Sequence, residues 1–333
     1  MELVTDFLGT LAGQLQKPTL AFLLGGMVLA ACGSRLEIPD AVYRFIVVVL
    51  LLKIGLGAGI AIREADIVEL LLPAAAAFVL GTAIVLIGRV TLARLPGLRP
   101  EDGMATAGLF GAVSASTLAA AMVMLEEDGL GFEPWAPALY PFMDIPALIV
   151  AIVLAQLHRQ RTSDSTQRLR IGAIVADSLR GSALSALALG LVLGLVARPD
   201  AVFVGFYEPL FRGLLSLLML VMGMEAYSRL AELRRVAHVF AIYALIAPLV
   251  HGLMGFALGY AAHLATGFSP GGVVLLAVMA GSSSDISGPP TLRAAIPSAN
   301  PAAYVGASTS IGTPVALLSI PFYMALAEIV FAT

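Results

Sequence analysis

Charge is what this sequence has least of. Only 12% of its 333 residues are Asp, Glu, Lys or Arg, where a soluble domain carries roughly 25%. So few charges cannot clothe a water-facing surface. Cysteine is almost absent too. The single Cys32 lies in an apolar run, which excludes a disulfide framework and a CxxC metal site. His158, His238, His251 and His263 form no HExxH or closely paired set, so a metalloenzyme would lack its ligands. With 19 basic against 22 acidic residues, no basic face suggests nucleic acid. No nucleophile–base pair stands out, and the chain reads as a non-enzyme. Residues 1–16 carry Glu2 and Asp6 and lack a basic n-region and a small-residue cleavage site. They do not read as a cleavable signal peptide, and the first span is expected to stay in the mature protein.

What is abundant is apolar surface: 59% hydrophobic residues and a mean hydropathy of +0.95. Ten runs are long enough to cross a bilayer, at 18–36, 40–62, 68–90, 103–126, 135–157, 180–198, 206–229, 235–264, 270–296 and 303–330. They are continuous and lack period-two alternation, so they predict helices and not barrel strands. The expected fold is an all-α polytopic membrane protein with ten transmembrane helices. Arginine sets its orientation. Taking loops alternately, Arg35, Arg44, Arg89, Arg94, Arg99, Arg159, Arg161, Arg168, Arg170, Arg180, Arg229, Arg234, Arg235 and Arg293 fall on one side, against Lys17, Arg63, Arg198 and Arg212 on the other. The Arg-rich side is expected to be cytoplasmic, with both termini outside a bacterial plasma membrane.

The chain repeats itself at a period of about 165–170 residues. Met143-Asp144-Ile-Pro146-Ala-Leu resembles Gly312-Thr313-Pro314-Val-Ala-Leu, Gly111-Ala-Val-Ser114-Ala-Ser116-Thr117 resembles Gly281-Ser-Ser-Ser284-Asp285-Ile-Ser287, and Leu24-Gly25-Gly26-Met-Val-Leu resembles Leu189-Gly190-Leu-Val-Leu. The division is a first repeat at 1–157, a polar cytoplasmic linker at 158–179 and a second repeat at 180–333. Five spans per half is an odd number, so the second half enters the membrane upside down. Inverted repeats of this kind build many secondary transporters.

Spans four and nine are poor continuous helices. Pro289 and Pro290 suit the first turn of a new helix, with Ser287 as candidate N-cap. Ser114, Ser116 or Thr117 can cap the second half of span four in the same way. Two half-helices would then start at the midplane from opposite sides. Each start carries about half a positive charge and unpaired N–H groups, a setting for a small anion without a buried cation. The anion site is expected at Gly111, Ser114, Ala115, Ser116, Thr117, Ser287 and Gly288. A cation needs oxygen ligands, and Ser283, Ser284, Asp285, Asp144, Asn300 and Thr309 are the available ones. Intramembrane carboxylates are functional candidates, although Asp144 could instead pair with Lys53.

At these residues the chain resembles the cyanobacterial sodium-dependent bicarbonate transporter family. The stretches that carry the likeness include GQLQKPTLAFLLGGMVLAA, GLFGAVSASTLAAAM, ALYPFMDIPALIVAIV and GSSSDISGPPTLRAAIPSANPAAY. The resemblance implies symport of sodium and bicarbonate for inorganic carbon concentration, with sodium as coupling ion and no other cofactor. It further implies core and gate domains, a homotrimer, and control by a PII-like regulatory protein that senses adenine nucleotides. The link between spans five and six is shorter and less charged than in that family. A carrier of another small anion on the same architecture, or a passive anion channel, is the alternative.

Overall fold

The computed structural model describes residues 16–162, 179–233 and 238–331, with positions 13, 172 and 176. Most of the N-terminal stretch 1–16, most of the 158–179 linker, and Arg168, Arg170, Arg234 and Arg235 lie outside the described residues. Among the described residues every regular element is helical. Helices α1 (Pro18–Ala31), α2 (Asp40–Glu64) and α3 (Ile67–Thr91) precede a divided span, α4 (Pro100–Gly111) and α5 (Ala115–Glu127). Then come α6 (Tyr140–Thr162), α7 (Ser182–Val196) and α8 (Glu208–Leu233), the last preceded by a π turn at Phe203–Tyr207. The chain ends with α9 (His238–Thr266), a second divided span, α10 (Pro270–Gly281) and α11 (Gly288–Ala295), and finally α12 (Pro301–Gly306) and α13 (Thr313–Phe331), joined by a π turn at Ala307–Gly312.

Among the described residues, seven helical segments are long and apolar enough to cross a membrane, counting α4 with α5 and α12 with α13. Three further apolar helices, α1, α7 and α10, are shorter. Each overlaps one of the apolar runs of the sequence. Large apolar side chains stand exposed along the flanks, among them Phe78 and Val79 on α3, Leu189 and Val192 on α7, and Leu245, Ile246 and Leu249 on α9. An apolar exterior of this extent suits lipid and not water.

Two helix pairs pack most intimately, α2 with α7 and α1 with α8. Without a hydrophobic drive between helices in lipid, close backbone approach supplies the attraction, and glycine permits it. A Cβ on Gly55 would lie 2.2 Å from the Leu187 carbonyl oxygen, and one on Gly59 would lie 2.2 Å from that of Leu191. In the other pair, Gly26 and Gly223 face the Leu220 and Leu23 carbonyls equally closely. These four helices form one layer. Helices α3, α4, α6, α9, α10 and α13 pack with one another in a second. Helix α5 and the Ala307–Gly312 π turn lie where the layers meet, against α2 and α8. The apolar window of the α4–α5 span is wholly buried, so this span has no lipid-facing side.

Candidate functional site

The break in span four is a redistribution of hydrogen bonds. In a continuous helix the Val113 N–H would donate to the Leu109 carbonyl. Here it donates to Asp144 Oδ1 on α6 at 3.0 Å, and the Leu109 carbonyl accepts from the Ser284 N–H at 2.8 Å. Ser114 N–H donates to Ser282 Oγ at 3.0 Å. Buried backbone groups must be paired, and these cross-connections satisfy them where the helix cannot. Extended backbone at Ala112 and Ser114 opens the chain. The Ser114 hydroxyl then accepts from the Thr117 N–H at 3.1 Å and caps α5.

Span nine breaks at Ser282–Ser287. Ser287 holds the N-cap position of α11 as expected, but its hydroxyl makes no capping bond. Its backbone is already helical there, which turns the side chain away from the following amides. Ser284 does the capping: its Oγ accepts from the Gly288 N–H at 2.9 Å and lies 3.0 Å from Ser287 Oγ. Close approach favours glycine at 288, since a Cβ there would come within 2.5 Å of the Leu109 side chain and 2.9 Å of Ser284 Cβ. Ser308, in the π turn of the last span, donates to Ser283 Oγ at 2.9 Å and to the Ser284 carbonyl at 3.1 Å. Each break is thus braced by the span that follows it, Asp144 for the first and Ser308 for the second.

Besides the Ser114–Ser282 and Ser284–Leu109 bonds, the two breaks share a charged contact. Ser116 Oγ donates to Asp285 Oδ2 at 2.6 Å, and Ser114 Oγ lies 2.9 Å from Ser116 Oγ. Ser114, Ser116, Thr117, Ser282, Ser283, Ser284 and Ser287 are all buried. Ala115 and Ser116 supply the first amides of α5, which have no partner within the helix. Asp285 Oδ1 and Asp144 Oδ2 are buried without a hydrogen-bond partner among the described residues. The site therefore sets the first amides of α5 and a cluster of hydroxyls, those of Ser116 and Thr117 bonded to Asp285 Oδ2 and Ser114 Oγ, beside unspent carboxylate oxygens. A gap of about 10 Å³ adjoins Ser116, walled by Leu50, Leu51, Leu218 and Ile286.

Two expected cation ligands stand elsewhere. Asn300 is exposed. Its side chain caps α12 through the Ala302 N–H at 3.1 Å, and its own N–H donates to Asp102 Oδ1 at 2.7 Å. Asp102 is nine residues from the end of α4, about 13 Å along the helix at 1.5 Å per residue, so Asn300 belongs to that far end. Thr309 adjoins Ser308, but its hydroxyl donates back to the Val305 carbonyl at 2.8 Å. Gly111, Ala115 and Thr117 lie at the first break as expected. Asp144 does not pair with Lys53, whose ammonium lies over the Phe211 ring. Sequence reasoning missed Ser282, Ser308 and Tyr140, whose hydroxyl is 3.4 Å from Ser287 Oγ. The run Gly306-Ala-Ser-Thr-Ser-Ile-Gly312, polar and small inside an apolar span, was the available signal for Ser308. Among the described residues no three His, Cys, Asp or Glu side chains are grouped as a metal site.

The family profile of the Na+-dependent bicarbonate transporter superfamily matches residues 18–328. The chain belongs to that superfamily. The match runs from the first residue of α1 to within α13, so both breaks and the helices bracing them fall inside it. No curated protein sequence matches the chain.

Proposed function

We propose that this chain imports bicarbonate together with sodium by alternating access. The observation that carries the proposal is the Ser116–Asp285 bond, which joins the starts of two half-helices from opposite halves of the chain. Bicarbonate is a small monovalent oxyanion. The α5 start offers it open amides at Ala115 and Ser116, and the hydroxyls of Ser116, Thr117 and Ser287 add neutral donors. Sodium takes oxygen ligands. Asp285, Asp144, Ser283, Ser284 and Ser308 supply them, with Asp285 bridging both cargoes.

Symport has a physical rationale. An anion entering a negative cell climbs about 2.3 kcal/mol per charge per 100 mV. A sodium ion carried with it cancels that cost and adds its own gradient. Ten membrane crossings in two inverted repeats, 1–157 and 180–333, account for the packing. Exchanging the halves turns the α1–α8 pair into the α7–α2 pair, and both are close glycine contacts. The layer α1, α2, α7 and α8 would be the gate and the other layer the moving core. Both termini outside, a homotrimer and a PII-like cytoplasmic regulator complete the reading.

Purified protein in liposomes tests it. Labelled bicarbonate should accumulate above equilibrium under an inward sodium gradient and only equilibrate without one. Equal accumulation without sodium would remove the coupling, and equilibration under both conditions would point to a channel.

A further inference from the structure

A vestibule of about 1000 Å³ opens beside the site. Its walls include Glu64, Met122, Glu126, Asp200 and Phe203, and Lys53 is its lysine. Lys53 lies within α2, one helical turn beyond Leu50, which borders the small gap at Ser116. On α5, Met122 of the vestibule is likewise one turn beyond Ala119 of the gap. The vestibule and the gap are therefore consecutive along one α2–α5 seam. They lie about one helical pitch, 5.4 Å, apart along that seam, and Leu50, Leu51 and Leu218 wall the gap.

Lys53 is held in an unusual way. Its ammonium sits 4.1 Å from the Phe211 ring centroid and 5.8 Å from that of Phe203. It makes no ion pair or hydrogen bond among the described residues. Aromatic faces stabilise an ammonium without using its N–H donors. Of the carboxylates near it, Glu126 pairs with Arg212 at 3.3 Å and Asp200 with Arg63 at 3.4 Å. Its charged neighbours Glu126, Glu208 and Arg212 lie on α5 and α8, and none closes on it as an ion pair. A structural lysine would be expected to meet a carboxylate, whereas this one keeps its donors at the floor of an open cavity.

We propose that Lys53 forms a waiting site for the transported small oxyanion, ahead of the Ser116–Asp285 junction. This rests on the transport reading above. The anion enters the vestibule, binds the aromatic-clamped ammonium, and passes one helical turn to the α5 start when the leucines walling the gap move apart. The site counters the acidic residues of the vestibule wall, which by themselves would hold anions off.

The test is bicarbonate uptake by wild type, Lys53→Gln and Lys53→Arg in proteoliposomes under a fixed sodium gradient. Lys53→Gln is expected to raise the apparent KM for bicarbonate roughly tenfold, the effect of about 1.4 kcal/mol, with little change in the apparent KM for sodium at saturating bicarbonate. Lys53→Arg, which keeps the charge and the aromatic contact, is expected to restore most of the affinity. A KM in Lys53→Gln equal to wild type overturns the proposal and leaves the transport reading standing. So does equal loss of uptake in both variants, which marks a packing role. Wild-type vesicles that take up no bicarbonate overturn the transport reading and this proposal together.

Discussion

Asp285 and Ser116 stand 169 positions apart in sequence and share a 2.6 Å hydrogen bond. A hydrogen bond to an ionised group contributes about 1.5–3 kcal/mol, and here the acceptor also keeps one oxygen unspent. Asp285→Asn removes the negative charge while preserving size. Sodium-dependent uptake is expected to fall at least about tenfold, read as the difference between uptake with and without a sodium gradient. Ser116→Leu fills the small gap beside α5 and removes a donor. The apparent KM for bicarbonate is expected to rise about tenfold or more in initial-rate assays, while unaltered affinity would count against the α5 start as the anion site. At this scale the sequence was legible wherever a polar group sat in an apolar run. Asp285, Asp144, Ser283, Ser284 and Ser287 stood out for that reason. Asn300 stood out equally, yet it caps α12 at the far end of α4. Nothing local separates a helix-capping amide from a ligand; the difference is which neighbour the fold brings.

Among the elements, the divided spans are held open by specific caps. Ser284 Oγ accepts from the first amide of α11, and loss of an N-cap costs about 0.5–2 kcal/mol. Ser284→Ala is expected to lower the thermal midpoint in detergent and to weaken transport. Ser287→Ala, whose hydroxyl makes no capping bond, should leave the midpoint closer to wild type. The glycine crossings give a sharper test. Gly59→Val places a side chain where even a Cβ meets the Leu191 carbonyl at 2.2 Å. Overpacking costs about 1–3 kcal/mol, so the midpoint should drop, whereas Gly25→Ala, with nothing within 4 Å of its Cβ, should not change it. The double proline announced the start of α11, because proline fixes the backbone of a first turn and cannot continue a helix. The π turn at Ala307–Gly312 was not legible, since its residues are compatible with an ordinary helix and the irregularity comes from seating Ser308 on the second break.

Orientation in the bilayer is a property of the whole molecule. Cys32 is the single cysteine, so Cys32→Ser gives a cysteine-free background. A cysteine placed at Ala65, in the loop between α2 and α3, is expected to react with a membrane-impermeant maleimide in intact cells. One placed at Arg94 is expected to react only after permeabilisation. The reverse pattern would invert the arginine-based topology and put the Lys53 vestibule on the cytoplasmic side. The membrane character, the helical class and the approximate spans were determined by the sequence alone, because low charge and long apolar runs allow no other solvent for the chain. The breaks at 112–114 and 282–287 were likewise written in proline, glycine and serine. Only the tertiary structure decided that the Ser284 N–H takes the carbonyl of Leu109, that Ser308 braces the second break, and that Lys53 rests on phenylalanine and not on Asp144. Those pairings join segments far apart in sequence, and their geometry depends on how the helices cross, which no local pattern of residues encodes.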